Sequence, residues 1–150
     1  MYKIGASTKA SGSVWDAKGK SKIAEIYIAS NKKYFRFIDF VYGDNQNTPR
    51  LSGLSCQGDI TFFNTITLEY PFEFINGISG FYERDYGSKY LRSITFHTNK
   101  AKYGPFIACP ANEESEQIEF NYQVGSNFSG FFGTNLPNGV ESIGIYCKPA

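Results

Sequence analysis

One histidine, three cysteines and fourteen carboxylates are the side chains of this 150-residue sequence that could do acid, base or nucleophilic chemistry. His97 sits in an alternating apolar stretch. Pairing it with Cys109 or Cys147 as a nucleophile would need a third group to orient the imidazole, and no spacing supplies one. Cys56, Cys109 and Cys147 are odd in number and far apart, which matches neither a zinc pattern nor a disulfide framework, so free buried thiols are expected. Carboxylate pairs suited to glycoside hydrolysis can be drawn from any chain with this many acids and carry little information. Glu113-Glu114-Ser115-Glu116 and Lys18-Gly19-Lys20-Ser21-Lys22 read as solvated loops, and no phosphate-cradling glycine loop is present. Catalysis is therefore rejected as the primary class, and neither a metal nor a cofactor is expected. Binding chemistry remains.

The elements that must position a binding site are strands. Arg92 to Phe106, RSITFHTNKAKYGPF, alternates Ile94, Phe96 and Thr98 against Ser93, Thr95 and His97. It then turns over Thr98-Asn99-Lys100 and resumes through Tyr103-Gly104-Pro105-Phe106, which is a hairpin pattern. Aromatics make up 17% of residues, most clearly in the run Tyr34 to Tyr42, followed by a loop from Gly43 to Pro49. Further strands are expected at Glu25 to Ala29, Ile60 to Phe63, Thr65 to Tyr70, Phe74 to Phe81, Tyr90 to Thr98, Ile118 to Tyr122, Phe128 to Gly133 and Val140 to Cys147, with glycine or proline in most gaps. No segment has caps and a 3.6-residue period, so the fold class is all-β. Phe74 to Tyr82 and Gly139 to Tyr146 share an apolar-x-x-Ile pattern followed by glycine, a faint sign of internal repetition.

Length and charge narrow the function. The chain suits one domain spanning residues 1–150, and a net charge of +1 offers no field for nucleic acid or an anionic membrane. No apolar run approaches the roughly 18 residues of a membrane span, and the first residues lack the apolar core of a signal peptide, so a cytoplasmic protein is expected. The sequon Asn127-Phe128-Ser129 is then a chance match. Cys147 shares parity with Ile143 and Ile145, which predicts a buried, inert thiol and no native disulfide.

Four collinear motifs resemble the jacalin-related lectins. Gly5 and Gly12-Ser13-Val14-Trp15-Asp16 are similar to the family's "GPWGGNGGSAWDDG". Ile75-Asn76-Gly77-Ile78-Ser79-Gly80 is similar to "YITGISG", and the Arg92 hairpin to "RSLTFKTNKKTYGPYG". Gly130-Phe131-Phe132-Gly133 with Ser142-Ile143-Gly144-Ile145-Tyr146 resembles "GFFGRSGWYLDAIGVY". The resemblance implies a β-prism I: three four-stranded antiparallel Greek-key sheets about a pseudo-threefold axis. It also implies a mannose- or glucose-type carbohydrate site of the cytoplasmic branch. A shallow one-sugar site binds weakly, near the millimolar range of about −4 kcal/mol, so useful binding would come from homo-oligomers.

In that family the sugar is held by a glycine followed four residues later by an aspartate in the last loop, by an N-terminal glycine, and by the loop before the Arg-Ser strand. A carboxylate accepts from two adjacent hydroxyls, and glycine lets the ring approach the main chain. Carried over, the resemblance names Gly12, Ser88, Lys89, Asn138, Gly139, Val140 and Glu141. Glu141 replaces the aspartate, Pro137 replaces the motif glycine, and the final loop is one residue longer. One added methylene moves a carboxylate by about 1.5 Å unless the loop compensates. Read without the resemblance, Asn138-Gly139 is a plain hairpin turn. Ser30-Asn31-Lys32-Lys33 carries no acid, so no second site is expected there. The alternative function is a protein-protein adaptor that kept the prism and lost the sugar, in plant defence or restriction of virus movement.

Overall fold

The computed structural model describes residues 1–5, 12–43, 59–85, 88–110 and 114–149. They form strands β1 (Tyr2–Gly5), β2 (Ser13–Asp16), β3 (Ile23–Ser30), β4 (Phe35–Tyr42), β5 (Phe62–Thr67), β6 (Ile75–Asp85), β7 (Ser88–Thr98), β8 (Lys102–Ile107), β9 (Glu116–Gln123), β10 (Phe128–Leu136) and β11 (Gly139–Cys147). These make three antiparallel sheets in the orders β1-β11-β10-β2, β4-β3-β5 and β8-β7-β6-β9. Three antiparallel sheets are as expected; two have four strands, and the second has three among the described residues. The strands expected at Ile60 to Phe63 and Thr65 to Tyr70 are one, β5. Asn64 does not break it but pairs in register with Ile28. The loop read at Gly43 to Pro49 lies, beyond Gly43, outside the described residues, as does Cys56.

The sheets share one core because each contributes an aromatic ring to the same point. Phe131 of β10 stacks on Phe40 of β4, with centroids 4.6 Å apart, and meets Phe96 of β7 edge-on at 6.0 Å. All three rings are almost wholly buried, and burying one such side chain stabilises by roughly 1.5–3 kcal/mol. Phe132 turns to the other face of the first sheet against Tyr146, and Trp15 packs near Phe40. The two chain ends meet in that sheet, where β1 pairs with β11 from Tyr2↔Cys147 to Gly5↔Gly144.

The Thr98-Asn99-Lys100 turn does more than reverse the chain. Asn99 accepts from the Phe74 N–H and donates to the Phe72 carbonyl, while Thr98 Oγ1 donates to Glu73 Oε2 at 2.6 Å. Tyr103 and the Glu69 N–H also donate to Glu73, which is 3% exposed. Burial pushes its carboxyl upward, but the bonds from Thr98, Glu69 and Tyr103, with the charge of Lys100, outweigh this and hold it below the ordinary 4.5. A depressed folded-state pKa gives stability that is present above 4.5 and lost as pH falls through the folded value. Thermal midpoints of the wild type should therefore fall as pH drops from 4.5 through that lower value, and Glu73→Gln should flatten that part of the profile. An unchanged slope in the variant would remove Glu73 as the cause.

Cys109 and Cys147 are free thiols. Cys147 is half-buried, not buried as its parity implied, because parity sets the face and not the depth, and the last residue of β11 lies at the sheet's end. Burial, then the charge of Glu83 and a hydrogen bond to it, push the Cys109 thiol up, ahead of the opposing Arg92 and Lys33. A maleimide reagent should consequently label Cys147 before Cys109 in the native protein, read by peptide mass spectrometry.

Candidate functional site

The β10–β11 hairpin carries the residues named from the final loop. Leu136 pairs with Gly139, so the two-residue turn is Pro137-Asn138 and not Asn138-Gly139. Proline fixes φ near −65°, and neither Asn138 nor Gly139 has positive φ, which excludes the mirror-image turn that Asn-Gly suggests. Gly139 is glycine for another reason. A Cβ there would lie 2.3 Å from the Phe35 carbonyl oxygen and 2.9 Å from the Cβ of Tyr34, so the hairpin is pressed against the start of β4. Arg36 Nη1 donates to the Asn138 carbonyl at 2.5 Å and ties the turn to β4.

The ladder beside the turn carries a bulge. Thr134 pairs with Ser142 and Asn135 with Val140, so Glu141 is the bulged residue of the ladder between them. A bulge re-aims the side chain it carries. Glu141, 5% exposed, directs Oε1 to the Gly12 N–H at 2.9 Å, across 129 positions of sequence. Gly12 leads into β2, and a Cβ on it would stand 2.3 Å from the Asn135 carbonyl oxygen and 2.9 Å from Glu141 Oε1. Only glycine lets these backbones approach so closely.

Lys89, near the start of β7, extends Nζ over the Tyr82 ring at 4.6 Å from its centre. Burial and Arg84 lower its pKa while the charge of Glu141 raises it, so the two side chains share a field. Ser88 beside it is exposed. Gly12, Glu141 and Lys89 are thus brought together, with Asn138 and Gly139 at the turn above β4. Val140 is not part of the surface: its side chain is 2% exposed in the core, so only its backbone could meet a ligand.

Sequence reasoning passed over three neighbours. Tyr34 and Tyr90 hold their rings 4.5 Å apart, and Arg36 is 8% exposed in a run that, apart from it and Asp39, is aromatic and apolar. A charge at such a position was the available signal, since a buried Arg has to be tied to something specific.

His97 takes no part in this cluster. It is half-buried, its Nε2 lies 2.7 Å from Ser79 Oγ, and burial followed by the charge of Lys102 lowers its pKa. The thiols considered for it lie elsewhere, Cys109 beside Glu83 and Cys147 at the end of β11. Among the described residues no group of three or more His, Cys, Asp or Glu side chains is placed to hold a metal. No helix there is long and apolar enough to cross a membrane.

A three-sheet antiparallel prism with a carboxylate and a glycine amide joined at one end is a lectin-type architecture. Residues 4–146 match the model of the jacalin-like lectin domain, and the chain belongs to that family. It is 31% identical to Jacalin-related lectin 24 of Arabidopsis thaliana over 99% of this chain and 68% of that one. It is 38% identical to Protein RESTRICTED TEV MOVEMENT 1 of the same plant over 58% of this chain and 49% of the relative. The chain spans about half the length of the latter and of Jacalin-related lectin 2, at 49% and 56%. A mannose-specific jacalin-related lectin from Morus nigra, solved with mannose, shares the fold. Its TM-score is 0.72 at 24% identity, covering 99% of this chain and 94% of that one.

Proposed function

We propose that this chain is a non-enzymatic carbohydrate-binding protein for mannose- or glucose-type glycans, acting in the cytoplasm. The observation that carries this reading is the 2.9 Å contact between the Gly12 N–H and Glu141 Oε1. It holds a carboxylate against the main chain leading into β2, which suits the role that the family resemblance gives an aspartate. The bulge at Glu141 aims this side chain at the Gly12 amide. A carboxylate has about four acceptor positions, so it can hold an amide and still accept from sugar hydroxyls. Lys89 and Ser88 supply donors beside it. The chemistry needs neither metal nor cofactor. Affinity at such a site is weak, and homo-oligomers would multiply it.

A second reading is favoured by Pro137 in place of the motif glycine and by the burial of Glu141 at 5% exposure. On it, the prism serves as a protein-protein adaptor in plant defence, in line with the similarity to RESTRICTED TEV MOVEMENT 1. Calorimetric titration with mannose, glucose, galactose and oligomannose separates the two. Saturable binding of mannose or glucose is expected, and silence toward every sugar would transfer the case to the adaptor.

A further inference from the structure

At the end of the prism opposite Glu141, a cavity of about 180 Å³ opens between segments remote in sequence. β11 runs from Gly139 to Cys147, and at about 3.3 Å per residue Lys148 lies roughly 23 Å along it from Glu141. Lys148 follows β11, Ser21 and Lys22 precede β3, Ser126 belongs to the turn before β10, and Tyr70 and Phe74 belong to the connection before β6. All six line the cavity. Main-chain bonds hold these segments in place: the Lys148 N–H donates to the Asn127 carbonyl at 2.8 Å and the Gly43 N–H to the Lys22 carbonyl at 2.9 Å. Among the described residues the ion pairs are Arg84–Glu116 and Lys100–Glu69, so neither Lys22 nor Lys148 has an acidic partner there. Glu73 also lines the cavity, but its oxygens are taken by Thr98, Tyr103 and the Glu69 N–H. Two ammoniums and two hydroxyls thus face a space smaller than the roughly 300 Å³ of a whole small-molecule site, and they suit one compact anionic group.

Beside the cavity, the turn between Tyr70 and Phe74 holds Phe72 out with 75% of it exposed, and Phe74 is 37% exposed. This turn is braced. The Phe72 N–H donates to the Glu69 carbonyl at 2.8 Å, and the Phe72 carbonyl accepts from Asn99 Nδ2 at 3.0 Å. Lys20 stands two residues from Lys22, its Nζ 5.8 Å from the centre of the Tyr42 ring at the end of β4. A protruding apolar ring beside lysines fits a lipid surface, where the ring enters the interface and the cations meet headgroups. We infer that this end of the prism is a peripheral membrane-docking surface, whose cavity takes the phosphomonoester headgroup of an anionic lipid between Lys22 and Lys148 while Phe72 enters the interface. The occupant is a bilayer and not a soluble phosphate, because only a bilayer also covers Phe72. The net charge of +1 gave no sign of this, since a sum over the whole chain says nothing of where its charges stand. The inference is independent of the carbohydrate reading, whose site faces away from the lipid in this orientation.

The test is sedimentation of the full chain with vesicles of phosphatidylcholine alone, of phosphatidylcholine with phosphatidic acid, and of phosphatidylcholine with phosphatidylserine at matched surface charge. Binding to phosphatidic acid, weaker binding to phosphatidylserine and none to phosphatidylcholine are expected. Lys22→Gln and Lys148→Gln should each lower affinity for the phosphatidic acid vesicles about fivefold. Phe72→Ser should lower it about tenfold. Thermal melts establish that each variant is folded. Equal binding to the two anionic lipids, or undiminished binding by the Lys22→Gln/Lys148→Gln double variant, overturns the headgroup cavity, and undiminished binding by Phe72→Ser overturns the insertion. Calorimetric binding of glycerol 3-phosphate without sedimentation by any vesicle assigns the cavity to a soluble phosphate and overturns the membrane occupant. Silence toward the vesicles and glycerol 3-phosphate alike overturns the whole proposal.

Discussion

Glu141→Ala is expected to abolish measurable saccharide binding, and Glu141→Gln to weaken it about tenfold or more. Hydrogen bonds to a charged acceptor contribute about 1.5–3 kcal/mol each, and a site near −4 kcal/mol has nothing in reserve once one or two are removed. Alanine also releases the Gly12 amide, which the carboxylate holds at 2.9 Å, and with it the approach of β2 to β10 at that end. Glutamine keeps an oxygen for Gly12 but loses the charge, and its remaining amide nitrogen can only donate. Calorimetry on both variants, with melts to show that they fold, reads the difference. Undiminished affinity in Glu141→Ala would move the sugar away from this carboxylate.

The strands were legible because their alternation is a direct image of one buried and one open face. The Thr98-Asn99-Lys100 turn was legible because its residue types have few other uses. β1 and β2 were not, since four residues with mostly exposed side chains leave no period to read. The pairing of Gly12 with Glu141 was reachable through family resemblance alone, because 129 positions separate them. The bulge was out of reach, for an insertion can lengthen a turn or break a ladder and composition does not choose between them. Here Pro137 opens a tight two-residue turn, and the bulge falls in the strand at Glu141. Arg36 and Tyr34 were hidden for a similar reason, as their work lies in a contact with a hairpin about a hundred residues away.

Tyr82→Phe should destabilise the fold by roughly 2–4 kcal/mol, although it removes one oxygen atom. That hydroxyl donates to the Ile143 carbonyl at 2.9 Å and accepts from the Ile143 N–H at 3.0 Å. β1 pairs with β11 only as far as Gly144, so at Ile143 the hydroxyl takes the place of a neighbouring strand. Without it, two buried main-chain groups lose their partner, at about 1–3 kcal/mol each. For a chain of this length that corresponds to a fall in melting temperature of about 5–15 °C. Tyr42→Phe is the contrast. Its hydroxyl is equally buried but has no hydrogen-bond partner among the described residues, so its removal should be neutral or stabilising. Ile143 stands two residues beyond Glu141 on the same strand, so Tyr82→Phe should also loosen the bulge and weaken saccharide binding, which Tyr42→Phe should not. Urea unfolding of the two variants gives the energies, and equal losses would deny the Tyr82 hydroxyl its special role.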